Sequence, residues 1–296
     1  MKEQIACNMR QFQDLRSLAA AVCIVCSCTN VLGVYTDDFH VTWGAPNNTK
    51  LVDGGEVMQL MLDNHTAAGF ASNKMYLFGS IDMQIKLIPG DSAGVVTAYY
   101  FSSELTPSHD EVDFEFLGNV TSQPYILQTN IFANGVGGRE QRIYLWFDPS
   151  ADFHSYSLLW NEQQIVLSVD GIPIRRFANN EAVGMPYLRK QPMGIYASIW
   201  DGGTWATRGG LDKVDWGSSP FVAEFGRYKV DACEGGKGTM EEDGCPSGKW
   251  WNEAAYQELS YAKKGQLSWV RSSFLVYDYC TDSERYPVPP PECSIS

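Results

Sequence analysis

Glu111, Asp113 and Glu115 stand two apart in the run His109-Asp110-Glu111-Val112-Asp113-Phe114-Glu115-Phe116-Leu117-Gly118-Asn119. In an extended chain this spacing puts three carboxylates on one face. Val112, Phe114 and Phe116 take the other face, where they ask for a core. Neighbouring acids then lie roughly 6 to 7 Å apart along the strand. Like charges so placed repel, and folding does not require them; an exposed strand face interleaves Thr, Lys and Ser instead. The chemistry that uses such a row is glycosidic bond cleavage. Two carboxyls act there as a pair, one ionised and the other kept protonated by its neighbours' charge. His109, just ahead of the row, reads as a structural hydrogen-bonder.

An acidic face of this kind needs a strand held between neighbours. Short β-rich runs at residues 56–62, 75–88, 95–101, 112–116, 126–132, 142–147, 156–160, 165–169, 193–200 and 221–230 supply them. Asp170-Gly171 is a hairpin signal between residues 165–169 and 172–177. Regular short strands punctuated by Gly and Pro, with almost no helical periodicity, predict an all-β fold. The expected form is a jelly-roll β-sandwich with a concave cleft. After Cys233 the composition changes. Residues 235–248 read as a Gly-rich acidic loop, 250–262 as the one helix, 269–279 as a further strand and 287–291 as a stiff proline tail. Residues 34–232 are thus expected to form the main sandwich. Residues 233–296 are expected to be an extension packed on it, because they hold too little apolar material to stand alone.

Composition narrows the partners. Aromatics reach 13% while charged residues are only 19%, which suits flat, uncharged ligands such as sugar rings. A net charge of −13 argues against nucleic acid and anionic membranes. No phosphate loop, dinucleotide fingerprint or zinc-ligand spacing is present, so neither a cofactor nor a metal is expected.

Lys2, Arg10 and Arg16 precede an apolar run from Leu18 to Val34, the pattern of an export leader cut near residue 33; a signal anchor is the competing reading. Four of the eight cysteines lie in that leader, leaving Cys233, Cys245, Cys280 and Cys293. Three connectivities are open to them, and nearest-neighbour pairing, 233 with 245 and 280 with 293, is the expectation. Zinc is disfavoured because no His follows His154. Sequons at Asn47, Asn64 and Asn119 are open to glycosylation in an exported chain, and Asn119 directly follows the acidic strand.

The run from His109 to Asn119 resembles the active-site strand of plant xyloglucan endotransglucosylase/hydrolases, in glycoside hydrolase family 16 with the lichenases and laminarinases. The likeness continues through Gln128-Thr129-Asn130, Arg139-Glu140-Gln141, Tyr144-Leu145-Trp146-Phe147-Asp148-Pro149 and Trp205-Ala206-Thr207-Arg208-Gly209-Gly210. It extends to the four late cysteines and Arg285-Tyr286-Pro287. The resemblance implies a retaining enzyme with Glu111 as nucleophile, Glu115 as general acid/base and Asp113 as the helper between them. Retention comes from the resemblance alone. Such pairs keep their carboxyls about 5 to 5.5 Å apart, whereas α-carbons four residues apart on a flat strand are roughly 13 Å apart.

The resemblance also implies sugar contacts from Gln128, Thr129, Asn130, Gly138, Arg139, Glu140, Thr204, Trp205 and Gly209. Tyr100 is expected near the nucleophile and Arg285 on the acceptor side. The chain departs from the commoner pattern with Gln128 in place of His, Gly138 in place of Asn and Thr204 in place of Asp, which touches subsite affinity and leaves the three acids intact. The implied partners are a xyloglucan donor and a xyloglucan acceptor, served by a secreted monomer in the cell wall. An endo-β-glucanase that only hydrolyses, and a wall-binding lectin without turnover, are the alternatives.

Overall fold

A computed structural model describes residues 35–44, 46–103, 106–235 and 249–294. The expected leader, its cut site and Cys245 lie outside the described residues. The strands are β1 (Phe39–Trp43), β2 (Thr49–Val52), β3 (Val57–Leu62), β4 (Ala68–Lys86), β5 (Val95–Ser102), β6 (Glu111–Leu117) and β7 (Ile126–Phe132). There follow β8 (Gln141–Tyr144), β9 (His154–Trp160), β10 (Gln164–Val169), β11 (Ile172–Ala178), β12 (Met193–Asp201), β13 (Phe221–Gly235) and β14 (Leu275–Asp278).

Pairing is antiparallel throughout and builds two layers that share β4. The first half of β4 lies between β1 and β12, and β5, β6, β7, β8 and β14 continue that layer. The second half lies between β9 and β13, with β10 and β11 beyond one and β3 and β2 beyond the other. The strand changes layer at Phe78 and Gly79, whose φ values are 66° and 141°. A β-carbon at Gly79 would come within 2.4 Å of Ala232, so glycine is needed at this corner. Between the layers the alternation does its work. Phe114 and Phe116 of β6 are fully buried, and the Phe116 ring meets Tyr156 of β9 edge-on at 4.7 Å.

The sandwich agrees with the sequence expectation, and several elements differ. β1 and β2 were not expected; both are short and largely exposed, so they carry almost no apolar alternation. β4 begins seven residues before the expected 75, because the polar Ser72, Asn73 and Lys74 lie inside it. The helix expected at 250–262 forms instead at Tyr261–Phe274. Ser260 caps it by accepting from the Lys263 N–H, while residues 250–257 are broken up by tertiary bonds, the Asn161 amide donating to the Trp251 and Tyr256 carbonyls. The strand expected at 269–279 shrinks to β14, since Trp269 and Phe274 serve as the helix face that packs on Trp146. No helix among the described residues is long and apolar enough to cross a membrane.

The C-terminal segment is stitched to the first layer. β14 pairs with β8, Arg139 Nε donates to Glu292 at 2.6 Å, and the Tyr286 hydroxyl donates to the Gly138 carbonyl at 2.6 Å. Cys280 and Cys293 are joined, as expected. Cys233 is also disulfide-bonded.

Candidate active site

Register decides what the acidic strand faces. Across β6, Glu115 stands opposite Ala98 of β5 and Gln128 of β7, and Asp113 stands opposite Tyr100 and Asn130. Gln128 in turn stands opposite Arg142 of β8. Ala98 leaves open space beside Glu115. The three acids floor a cleft of about 520 Å³ walled by Trp43, Trp200 and Trp205.

The carboxyls differ in how tightly they hold protons. Asp113 is buried, and its pKa is pushed well above the ordinary carboxyl range by desolvation first, then by the charges of Glu111 and Glu115 and a hydrogen bond with Glu111. Arg175 beneath the strand pulls the other way. That direction favours the protonated form of Asp113, which shares a hydrogen bond with Glu111. Glu115 is also raised, chiefly by desolvation, with Glu111 and Glu140 adding to the effect. The Gln128 amide, donating to Glu115 Oε2 at 2.6 Å, and the charge of Arg142 oppose that rise. The arrangement sets Glu115, an acid that holds its proton above the ordinary range, on the same strand face as Glu111.

The remaining expected contacts separate into two groups. Tyr100, Gln128, Asn130, Glu140 and Trp205 line the cleft. Tyr100 stacks on Tyr196 at 5.1 Å, and burial holds its hydroxyl protonated. Asn130 Oδ1 accepts from the backbone N–H groups of Ile131 and Arg139, which leaves its NH₂ to offer. Glu140 is paired bidentately with Arg285, at 2.7 and 3.3 Å, so Arg285 reaches the cleft edge through it.

The others lie outside that lining. Thr129 points into the sandwich, where its hydroxyl and carbonyl both accept from buried Arg175 at 3.0 and 2.9 Å. The alternation that aims residues 128 and 130 at the cleft forces 129 away from it. The Arg139 side chain is buried against Glu292 and the Ile131 and Val136 carbonyls, where it stitches the chain end to β7. Gly138 serves the same seam through Tyr286. Thr204 and Gly209 are exposed on the loop that carries Trp205, outside the cleft lining.

Sequence reasoning also missed cleft residues. Trp200 sits two after Ser198 on β12, so the period-two rule could have found both. Arg142 was overlooked because a lone charge on a predicted strand reads as a solvated face. Trp43 had no signal, since its strand was not recognised. At Asn119 the side chain caps a turn, accepting from the Val120 N–H and donating to the Pro124 carbonyl at 3.0 Å.

Comparisons with known proteins agree with this geometry. Residues 35–218 match the model of glycosyl hydrolases family 16, and residues 245–293 match that of the xyloglucan endo-transglycosylase C-terminus. A probable xyloglucan endotransglucosylase/hydrolase protein 7 of Arabidopsis thaliana is 50% identical over 262 residues, 88% of each chain. Xyloglucan endotransglucosylase protein 34 of Populus tremula x Populus tremuloides is 51% identical over 254 residues, 85% of each. Among solved structures, a Bacillus licheniformis beta-glucanase shares the fold with a TM-score of 0.54 at 23% identity, covering 66% of this chain and 92% of its own. An apo Crh5 transglycosylase aligns with a TM-score of 0.54 at 25% identity, over 66% of this chain and 78% of its own. With both family models matched and half of its residues shared along nearly the whole length of such relatives, this chain belongs to the xyloglucan endotransglucosylase/hydrolases of glycosyl hydrolase family 16.

Proposed function

We propose that the protein is a retaining transglycosylase that cuts the β-1,4-glucan backbone of xyloglucan and joins the cut end to another xyloglucan chain, or to water. The observation that carries this reading is the row of Glu111, Asp113 and Glu115 on the cleft floor, with buried Asp113 hydrogen-bonded to Glu111 and Glu115 held by Gln128. Family membership and the names of the relatives support the substrate.

In the first step Glu115 gives its proton to the glycosidic oxygen as the bond from that oxygen to the anomeric carbon breaks. The Glu111 carboxylate bonds to the anomeric carbon and forms a glycosyl-enzyme ester. Asp113, donating its hydrogen bond to Glu111, steadies the charge that Glu111 loses and regains. In the second step the Glu115 carboxylate takes the proton of the acceptor's 4-hydroxyl, whose oxygen attacks the anomeric carbon and releases Glu111. Trp43, Trp200 and Trp205 offer flat apolar faces for glucosyl rings, and Asn130 and the Glu140–Arg285 pair offer donors and acceptors for hydroxyls.

Export belongs to the same proposal. The basic residues and apolar run ahead of residue 35, where the family match begins, support a leader followed by the sandwich and the extension from residue 233. Work in the wall as a secreted monomer and a glycan on Asn119 complete the reading. The test is incubation with xyloglucan and a labelled xyloglucan oligosaccharide. Label entering polymer without matching new reducing ends supports transfer. Reducing ends alone favour the endo-β-glucanase, and neither product leaves a binding protein.

A further inference from the structure

Glu115, Gln128 and Arg142 stand side by side on β6, β7 and β8. Arg142 Nε donates to Gln128 Oε1 at 2.7 Å, and Gln128 Nε2 donates to Glu115 Oε2 at 2.6 Å. A guanidinium has donors only, so the Gln128 amide has one admissible orientation, carbonyl toward Arg142 and NH₂ toward Glu115. The NH₂ needs a lone pair, which makes Oε2 the accepting oxygen and leaves the acid's proton on Oε1.

We propose that Arg142 is a positioning residue, which through Gln128 fixes the Glu115 oxygen that carries the transferable proton. The inference rests on Glu115 being the acid/base, as proposed above. The far end of the relay is held by the C-terminal segment. The Arg142 guanidinium lies 5.3 Å from the centre of the Tyr277 ring, and the Tyr277 hydroxyl donates to Asp282 at 2.7 Å. β14 thus reaches the proton donor through two side chains, Arg142 and Gln128.

The charged and titratable groups around Glu115 are Glu111 and Asp113 on its own strand, Tyr100 from β5, and Arg142 and Glu140 at β8, with Arg285 neutralising Glu140. Removing Arg142 takes away a cation and frees the amide to turn. Glu115 then holds its proton to higher pH, and because the first step needs the protonated acid, the basic limb of activity moves up.

The test is the pH dependence of kcat/KM for wild type, Arg142→Met, Arg142→Lys and Gln128→Leu, using xyloglucan with the labelled oligosaccharide. This ratio reports the free enzyme, in which no sugar touches Arg142. The basic limb should rise by about one pH unit in Arg142→Met and Gln128→Leu alike. The kcat should fall roughly tenfold, a fraction of what general acid catalysis provides, with KM changed by less than about twofold. Arg142→Lys keeps the charge without the fork and should recover part of the shift.

An unmoved basic limb with a raised KM in both variants would make Arg142 and Gln128 plain sugar contacts and overturn the proposal. If Arg142→Met fails to fold, Gln128→Leu decides alone. Glu115→Gln, assayed on an aryl glycoside whose leaving group needs no proton, checks the underlying reading separately. It should keep that substrate and lose xyloglucan, and loss of both would remove Glu115 from the acid role.

Discussion

The same two strands, β6 and β7, carry opposite electrostatics on their two faces. Toward the cleft, Glu111, Asp113 and Glu115 crowd together on one floor. Toward the interior, Phe114, Phe116, Leu127 and Ile131 are fully buried. There Arg175 donates to Thr129 twice and lies 5.8 Å from the Tyr279 ring centre. Burial lowers the Arg175 pKa to about 10, which still leaves it charged at neutral pH. The interior gives the Arg175 charge its partners in Thr129, whereas the cleft keeps its acids in conflict. Stability comes from one face and reactivity from the other, as expected where a site is held against its own repulsion.

The largest effect that tests this division is on rate. Glu111→Ala removes the proposed nucleophile, so label transfer should fall on the order of 10⁶-fold, as when a nucleophile is removed elsewhere. The circular dichroism spectrum and urea midpoint should hold, since no packing is lost. Normal turnover in this variant would end the nucleophile assignment. One residue group away, Phe114→Ala should do the reverse, with a loss of about 3–5 kcal/mol in urea unfolding from the cavity it opens between the layers. A loss under about 1 kcal/mol would mean the two layers do not meet at Phe114.

Asp113 lies on the boundary between the two rules, and Asp113→Asn should separate them. Its folded carboxyl holds a proton more tightly than an unfolded aspartate does. The stability this gives is fully present below about pH 4 and is lost as pH rises through the raised native value. Asparagine has no proton to give up, so the variant should melt higher than wild type at pH 7 and equally at pH 4. Transfer should slow by about 10–100-fold, the usual range for an outer partner of a reacting group. A variant less stable at pH 7 than at pH 4, relative to wild type, would mean Asp113 is ionised in the fold.

How much of this was legible in the chain follows from the physics of each signal. Period-two alternation survives wherever one face is buried, which is why Val112, Phe114 and Phe116 announced the strand and the acids announced the chemistry. β1 has only Phe39 buried, so no alternation marked it, and Trp43 was lost with it. The late helix was misplaced because Trp250 and Trp251 look helical in isolation, while their fate depends on Asn161, some ninety residues earlier. Arg139 was assigned by motif, yet a motif records which residue is kept and not which way its side chain turns. Thr129 shows the limit most clearly, since the rule that aimed Gln128 and Asn130 into the cleft already excluded it.

That exclusion gives the smallest and most specific test. Thr129→Val keeps shape and removes the hydroxyl that accepts from Arg175, leaving the carbonyl as its remaining bond to Thr129. The cost should be about 1.5–3 kcal/mol, typical of a bond to a charged group, with KM for donor and acceptor unchanged. Asn130→Ala, one position on, should raise KM, and it should also cost stability because the buried N–H groups of Ile131 and Arg139 lose their acceptor. Strand geometry allows no intermediate result, because a side chain on β7 faces the cleft or the core. If Thr129→Val raised KM and left the melting point alone, β7 would be paired with β6 one residue out of the register described. Gln128 would then face inward, and with it the hydrogen bond that holds Glu115 ready.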